Sequence, residues 1–267
     1  MDLNLAGKVV LVTGSTTGIG EGIARVFAKE GATVIIHGRD RDRANRIAAE
    51  LSALGNPAFA VVGAVHTKDG AQSIRDQVFE QESRVDILVN NVGTYRALAW
   101  METQPEQWLE TYSSNVVSAV RMTHHFVPGM IERGFGRIVQ IASNAAHIAF
   151  PHLADYAASK AAMVSMSVSL AQSLAGTGVT ANTVSPGPVS TPAWDRWALE
   201  EGSRRGWSND IDDVKRLLLE DFFKNPSNRF GDAEEIGAMV ALIASPRMGY
   251  VNGANLRVDG GRVPTVN

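Results

Sequence analysis

The sequence predicts a doubly wound parallel α/β sheet of about seven strands, with helices on both faces and the whole of residues 1–267 in a single domain. Three observations carry this expectation. Short runs rich in β-branched apolar residues recur along the chain, helix-like segments separate them, and the runs are continuously apolar rather than alternating. A strand with no polar face belongs in a sheet covered on both sides. Strands that alternate with helices pair in parallel, because each crossover returns the chain to the same edge.

In order, the expected strands are Val9–Val12, Thr33–Ile36, Phe59–Val62, Asp86–Val89, Arg137–Ile141, Val179–Val184 and Ala254–Val258. Helices are expected at 19–30, 41–54, 68–81, 105–133, 156–176 and 232–244. A glycine-rich stretch opens the first helix, and the second begins with the basic run RDRANR. Pro105 suits the first turn of the fourth helix, where its missing N–H costs nothing. The run DYAASKAAM, rich in Ala and Ser, starts the fifth. One segment breaks the rhythm. Residues 192–228 are rich in charge and in large aromatics (Trp194, Trp197, Trp207, Phe222, Phe223), too long for a simple connection, and are read as a substrate lid or an oligomer contact.

The composition excludes several function classes. With 45% hydrophobic and 20% charged residues the chain has the profile of a soluble globular protein. A net charge of −3 makes no electrostatic case for nucleic acid or an anionic membrane. The absence of cysteine removes disulfides and thiolate-based metal or redox sites, and the histidine spacing offers no metal motif. Neither a signal peptide nor an apolar run of transmembrane length is present, so a cytoplasmic location is expected.

Thr13-Gly14-Ser15-Thr16-Thr17-Gly18-Ile19-Gly20 follows the first strand directly and leads into the first helix. Glycines allow a tight turn there and let backbone N–H groups approach a phosphate at the positive helix end. Strand, glycines, then helix is the setting of a dinucleotide site. The second strand runs into His37-Gly38-Arg39-Asp40. No acid stands at the strand end to accept from an adenosine ribose, and Arg39 offers a planar, permanently charged donor to a 2′-phosphate. NADP(H) is therefore expected in preference to NAD(H).

Tyr156 and Lys160 lie one helical turn apart on one face. Together with the other motifs they resemble the short-chain dehydrogenase/reductase family over almost the whole chain, in its 3-oxoacyl-reductase-like branch. The matching pieces are TGxxxGIG at Thr13–Gly20, Asn90-Asn91-Val92-Gly93 for NNAG, Asn115, Ser143 thirteen residues before Tyr156, Tyr156-x-x-x-Lys160, Pro186-Gly187-Pro188-Val189-Ser190-Thr191, and Tyr250–Gly261 near the C-terminus. The resemblance implies a Rossmann fold and a catalytic set of Asn115, Ser143, Tyr156 and Lys160. The implied cofactor residues are Gly14, Ser15, Thr16, Thr17, Gly18, Ile19, Gly20, Gly38, Arg39, Asn91, Val92, Gly93, Tyr156, Lys160, Pro186, Gly187, Val189 and Thr191.

The chemistry follows from the residue types. Reducing a ketone builds charge on its oxygen, which must then receive a proton. Tyr156 is expected to exchange that proton, with Lys160 lowering the phenol pKa and holding the nicotinamide ribose. Ser143 donates to the substrate oxygen. By resemblance, Asn115 supports a water-linked relay to Lys160, and the small-residue helices at 105–133 and 156–176 form homodimers or homotetramers. Tyr95, His147, His152 and Trp194 are candidate walls of the substrate pocket. No metal is required.

Two departures from the family bear on substrate. Ala64-Val65 stands where an acid usually contacts adenine, and Ala175-Gly176-Thr177-Gly178 lacks the cation that acyl-carrier reductases present after the Tyr–Lys helix. The expected reaction is therefore interconversion of a ketone and a secondary alcohol, and the aromatics of residues 192–228 point to an apolar or ring-bearing substrate. A 3-oxoacyl-carrier-protein or 3-oxoacyl-CoA reductase is the alternative, and a nucleotide-sensing binder without catalysis is the reading from another class.

Overall fold

The computed structural model describes residues 1–265. Its elements are β1 (Val9–Val12), α1 (Gly18–Lys29), β2 (Thr33–Gly38), α2 (Arg41–Ser52), β3 (Ala58–Val62), α3 (Lys68–Gln81), β4 (Ile87–Asn90), α4 (Pro105–Tyr112), α5 (Ser118–Glu132), β5 (Gly136–Ile141), α6 (Ala154–Ser173), β6 (Val179–Pro186), β7 (Val189–Ser190), α7 (Pro192–Arg204), α8 (Ile211–Asp221), β8 (Gly231–Asp232), α9 (Ala233–Ala244) and β9 (Asn255–Val258). Seven strands form one sheet in the order β3-β2-β1-β4-β5-β6-β9, and β7 pairs separately with β8. Every neighbouring pair in the large sheet is parallel. The chain winds outward from β1 to β3, then restarts on the other side of β1 at β4. At that reversal the connections leave in opposite directions and open a crevice beyond the strand ends, where such sheets bind ligands.

The continuous apolar strands bury both faces, as their composition requires. Val10, Val12, Val34, Ile36, Ile87, Val89, Val139 and Ile141 point to one side, where α1, α2 and α9 supply Ile23, Phe27, Ile47, Leu51 and Val240. Their neighbours Val9, Leu11, Ile35, Leu88 and Ile138 point to the other, against Ile74, Met122, Phe126 and Met130 of α3 and α5. Successive residues of a strand face opposite sides, so each apolar tetrapeptide serves two cores at once. Among the described residues no helix is long and apolar enough to cross a membrane.

One expectation requires correction. The helix expected over 105–133 is interrupted: Pro105 does open α4, but a π-helical turn at Ser113–Val117 separates α4 from α5. A π-turn takes in an extra residue and re-aims the side chains within it. Here it turns Asn115 inward, fully buried. The segment 192–228 is largely helical. Its helices α7 and α8 enclose a small core of their own, built from Ala198, Val214, Leu218 and Phe230 with Trp194, Trp197, Trp207 and Phe223 around it. Thr191 caps α7, and Asp210 caps α8. Lys215 ties α8 to β7 through Ser190 Oγ (2.8 Å) and to α7 through Asp195 (3.0 Å).

Candidate active site

The glycine loop leaves β1 at the reversal point. Gly14 (φ +67°) and Gly18 (φ +62°) adopt the left-handed conformation that side chains disfavour. Gly20 is excluded from bearing a side chain for another reason: a Cβ there would lie 2.3 Å from Gly14 O and 2.5 Å from Asn91 Nδ2. Asn91 is the loop's brace. Its Nδ2 donates to Thr13 O (2.9 Å) and Gly14 O (3.2 Å), while Thr13 Oγ1 accepts from the N–H groups of Asn91 and Val92. The Thr191 methyl comes within 3.5 Å of where a Cβ on Gly18 would be, which brings the 186–191 segment against the loop. Gly187 N–H donates to Val258 O, so that segment leaves β6 still braced by β9. The sequence-expected residues Gly14 to Gly20, Asn91 to Gly93 and Pro186 to Thr191 thus meet at one place.

Thr17, at the N-cap of α1, makes no side-chain cap, whereas Asp40 and Thr67 cap α2 and α3. The first-turn N–H groups of α1 therefore face the crevice without a side-chain acceptor. Gly38 lies against Thr16, with no room for a Cβ, and Arg39 is exposed immediately beyond it. The adjacent carboxylate is already engaged: Asp40 accepts from Arg43 N–H at 3.0 Å.

Ser143, Tyr156 and Lys160 come together at the ends of β5 and α6. The Tyr156 ring packs on Tyr95 at 5.6 Å between centroids, and Lys160 Nζ lies 5.7 Å from the Tyr156 ring centre. Lys160 is 3% exposed; its Nζ donates to Ile141 O at 2.8 Å, and burial lowers its pKa to about 8. Gly93 makes room for it, since a Cβ there would lie 3.1 Å from Nζ and 3.5 Å from Asn115 Oδ1. In the chain by itself, Lys160 is not among the groups that shift the phenol. Burial raises the Tyr156 pKa, Ser143 opposes the rise, and Tyr95 adds to it. The physical reason is that Lys160 directs its charge to a carbonyl, leaving desolvation of the phenolate dominant. Ser143 Oγ itself donates to Asn144 Oδ1 (3.3 Å) and accepts from Ala145 N–H (3.1 Å).

Asn115 does not bond to Lys160. Its Oδ1 accepts from Thr94 N–H (2.8 Å), and its Nδ2 donates to Thr94 O (3.0 Å) and Ser159 Oγ (2.9 Å). Ser159 Oγ donates in turn to Tyr156 O. Asn115 therefore splices the loop after β4 to the start of α6. Ser159, which completes this link, was legible only as a small residue inside the Tyr–Lys stretch. No motif marks His37 either, although its ring bonds to Gly14 N–H and Gly63 O. Its one sequence signal is a histidine closing an otherwise apolar strand.

The substrate candidates separate. Tyr95 borders Tyr156 and is half exposed. His147 Nε2 accepts from Asn255 Nδ2 at 2.7 Å, holding the ring toward β9. His152 is exposed, with its carbonyl accepting from Leu98 N–H. Trp194 is half-buried, its ring packing on Phe230 at 4.2 Å at the edge of the α7–α8 core.

Residues 8–202 match the family model described as short chain dehydrogenase. The chain belongs to the short-chain dehydrogenase/reductase family. Among members of this oxidoreductase family, it is 36% identical over 266 residues to the uncharacterized oxidoreductase YvrD of Bacillus subtilis (strain 168), covering 98% of each chain. It is 32% identical over 257 residues to 3-oxoacyl-[acyl-carrier-protein] reductase FabG of Haemophilus influenzae, covering 96% of this chain and 98% of that one. Among solved structures it resembles L-sorbose reductase of Gluconobacter frateurii, complexed with NADPH and L-sorbose. There the TM-score is 0.94 and the identity 33%, over 100% of both chains.

Proposed function

We propose that this short-chain dehydrogenase/reductase is an NADPH-dependent ketone reductase in which Tyr156 delivers the proton. The observation that carries the reading is the half-buried Tyr156 and buried Lys160 beside Ser143, at the same sheet edge as the glycine loop. The cradle fits a dinucleotide on its own terms. Gly20 leaves no room for a side chain, α1 presents uncapped N–H groups, and Arg39 stands exposed where a 2′-phosphate would lie. The NADPH in the L-sorbose reductase complex supports the same cofactor. When bound, NADPH supplies the hydride.

The chain's residues supply the remainder. Ser143 Oγ–H donates to the ketone oxygen, stabilising the charge that builds there. Tyr156 then gives up its phenolic proton to that oxygen. A phenol raised above its usual pKa is fully protonated at neutral pH, which suits the reductive direction. Lys160, tethered to Ile141 O, holds positive charge near the phenolate that remains. Asn115 keeps Thr94 and α6 in register so that these groups stay aligned. The α7–α8 pair, tied to β7 by Lys215, is the element we propose as the cover of the substrate side. The sorbose reductase likeness makes a polyhydroxy ketone the first class to assay, ahead of the apolar or ring-bearing ketone that the aromatic segment suggests.

The similarity to FabG supports a second reading, a 3-oxoacyl-thioester reductase. Against it stand the uncharged Ala175–Gly178 segment and the extra helical pair. A panel of ketoses, simple ketones and 3-oxoacyl thioesters, each with NADPH or NADH and followed by nicotinamide absorbance, tests both. Turnover of thioesters alone would reverse the ranking, and turnover of none would remove the proposal.

A further inference from the structure

We propose that His37 is a positioning residue for the dinucleotide site, its imidazole holding the Gly14–Ser15 turn in the shape that receives the phosphates. This rests on the nucleotide reading above and adds a residue to it. The ring lies at the end of β2, between the ends of β1 and β3. Gly14 N–H donates to Nδ1 at 2.9 Å, and Nε2 meets Gly63 O at 3.1 Å. The backbone adds two bonds, His37 N–H to Ser15 Oγ and Ser15 N–H to His37 O, each 2.9 Å. Any residue can make one of these backbone bonds and accept the other; the ring bonds require an acceptor and a donor on one rigid side chain.

The partners determine the ring's state. A carbonyl only accepts, so Nε2 carries the hydrogen; an N–H only donates, so Nδ1 keeps its lone pair. The neutral Nε2–H form alone satisfies both. His37 is 2% exposed, and burial lowers its pKa to about 4, so this form persists at neutral pH. The bond matters because of what Gly14 does. The sheet pairing of β1 ends with Thr13 N–H on Val89 O. The next residue turns into the left-handed region, and its N–H leaves the ladder. Nδ1 is the acceptor that holds it there. Without that acceptor the donor must reorient to find another, and the turn that presents the loop reorients with it.

Two amide variants separate this role from packing. In His37→Asn the side-chain oxygen stands as many bonds from Cα as Nδ1, within reach of Gly14 N–H. In His37→Gln the amide stands where Nε2 was and reaches Gly63 instead. Dissociation constants for NADPH, measured by quenching of tryptophan fluorescence, are expected to stay within about threefold of wild type for H37N. For H37Q they are expected to rise about tenfold, the loss of one hydrogen bond's worth of loop positioning, with kcat at saturating NADPH little changed. A packing role predicts the opposite order, since glutamine fills more of the histidine's volume. Equal affinities for the two variants, or tighter binding by H37Q, overturn the inference while leaving the nucleotide site intact. A wild-type protein that binds no nicotinamide nucleotide overturns the functional reading and this inference with it. Should H37Q fail to fold, amide exchange in the wild type decides. Protection of Gly14 N–H comparable to the β1 amides supports the role, and exchange at the rate of exposed loop amides refutes it.

Discussion

Replacing Lys160 with methionine separates what the buried amine costs the fold from what it contributes to the site. Its pKa falls from the ordinary 10.5 to about 8 because burial disfavours the ammonium. At about 1.4 kcal/mol per pH unit, the drop amounts to roughly 3 kcal/mol of stability forgone. The sign follows from proton binding. Below pH 8 both folded and unfolded chains hold the proton and the full penalty applies. Between 8 and 10.5 the unfolded chain alone holds it, so the penalty shrinks as pH rises, and above 10.5 it is gone. Methionine also forfeits the bond to Ile141 O, at about 1 kcal/mol. K160M is therefore expected to be about 2 kcal/mol more stable than wild type at pH 7, and slightly less stable above pH 10.5. At roughly 2–4 °C per kcal/mol, the melting temperature at pH 7 rises by about 4–8 °C. Urea unfolding at fixed protein concentration, repeated across pH 7 to 10.5, measures the difference. Ketone-dependent NADPH oxidation is expected to be lost in the same variant. A destabilised K160M at pH 7, or a stability difference that does not change with pH, would refute the reasoning.

Other outcomes follow from the same geometry. Tyr156→Phe removes the proton donor and little else: kcat is expected to fall by about a thousandfold with NADPH affinity and melting temperature preserved, and a smaller loss would move the acid elsewhere. Arg39→Ala is expected to weaken NADPH about tenfold while leaving NADH unchanged, checked by titrating both nucleotides. Gly20→Ala forces a methyl onto the backbone of Gly14, which has no flexible end to give way. It should cost about 2 kcal/mol or more in urea unfolding, against about 1 for the exposed control Gly176→Ala, where only left-handed strain is added. Thr111→Val leaves the buried Asp155 carboxylate without the hydroxyl that donates to it at 2.6 Å, with an expected loss of about 2 kcal/mol by thermal or chemical melting.

Much of this architecture is legible in the sequence. The apolar tetrapeptides had to be covered on both faces, and the positions of β1, β2, β4 and β5 follow within a residue or two. The glycine loop was legible for the same kind of reason, since a strand, a turn and a helix adjacent in sequence are adjacent in space. The π-turn at Ser113–Val117 was not. It arises because Asn115 finds its partners on Thr94 and Ser159, residues remote in sequence, and no local composition signals that. The packing of the aromatics in 192–228 is hidden for a related reason: only the docking of α7 against α8 shows which of them share a core.

By itself the sequence determined the sheet, its parallel sense and the residues that line its C-terminal edge, because periodicity and turn chemistry act over a few neighbouring residues. The tertiary structure alone decided the electrical state of the site. Whether Tyr156 titrates high or low, and which nitrogen of His37 carries its proton, depend on burial and on partners such as Ile141 O and Gly63 O. Desolvation and hydrogen bonding are properties of a position in space, and folding brings those groups together from distant parts of the chain.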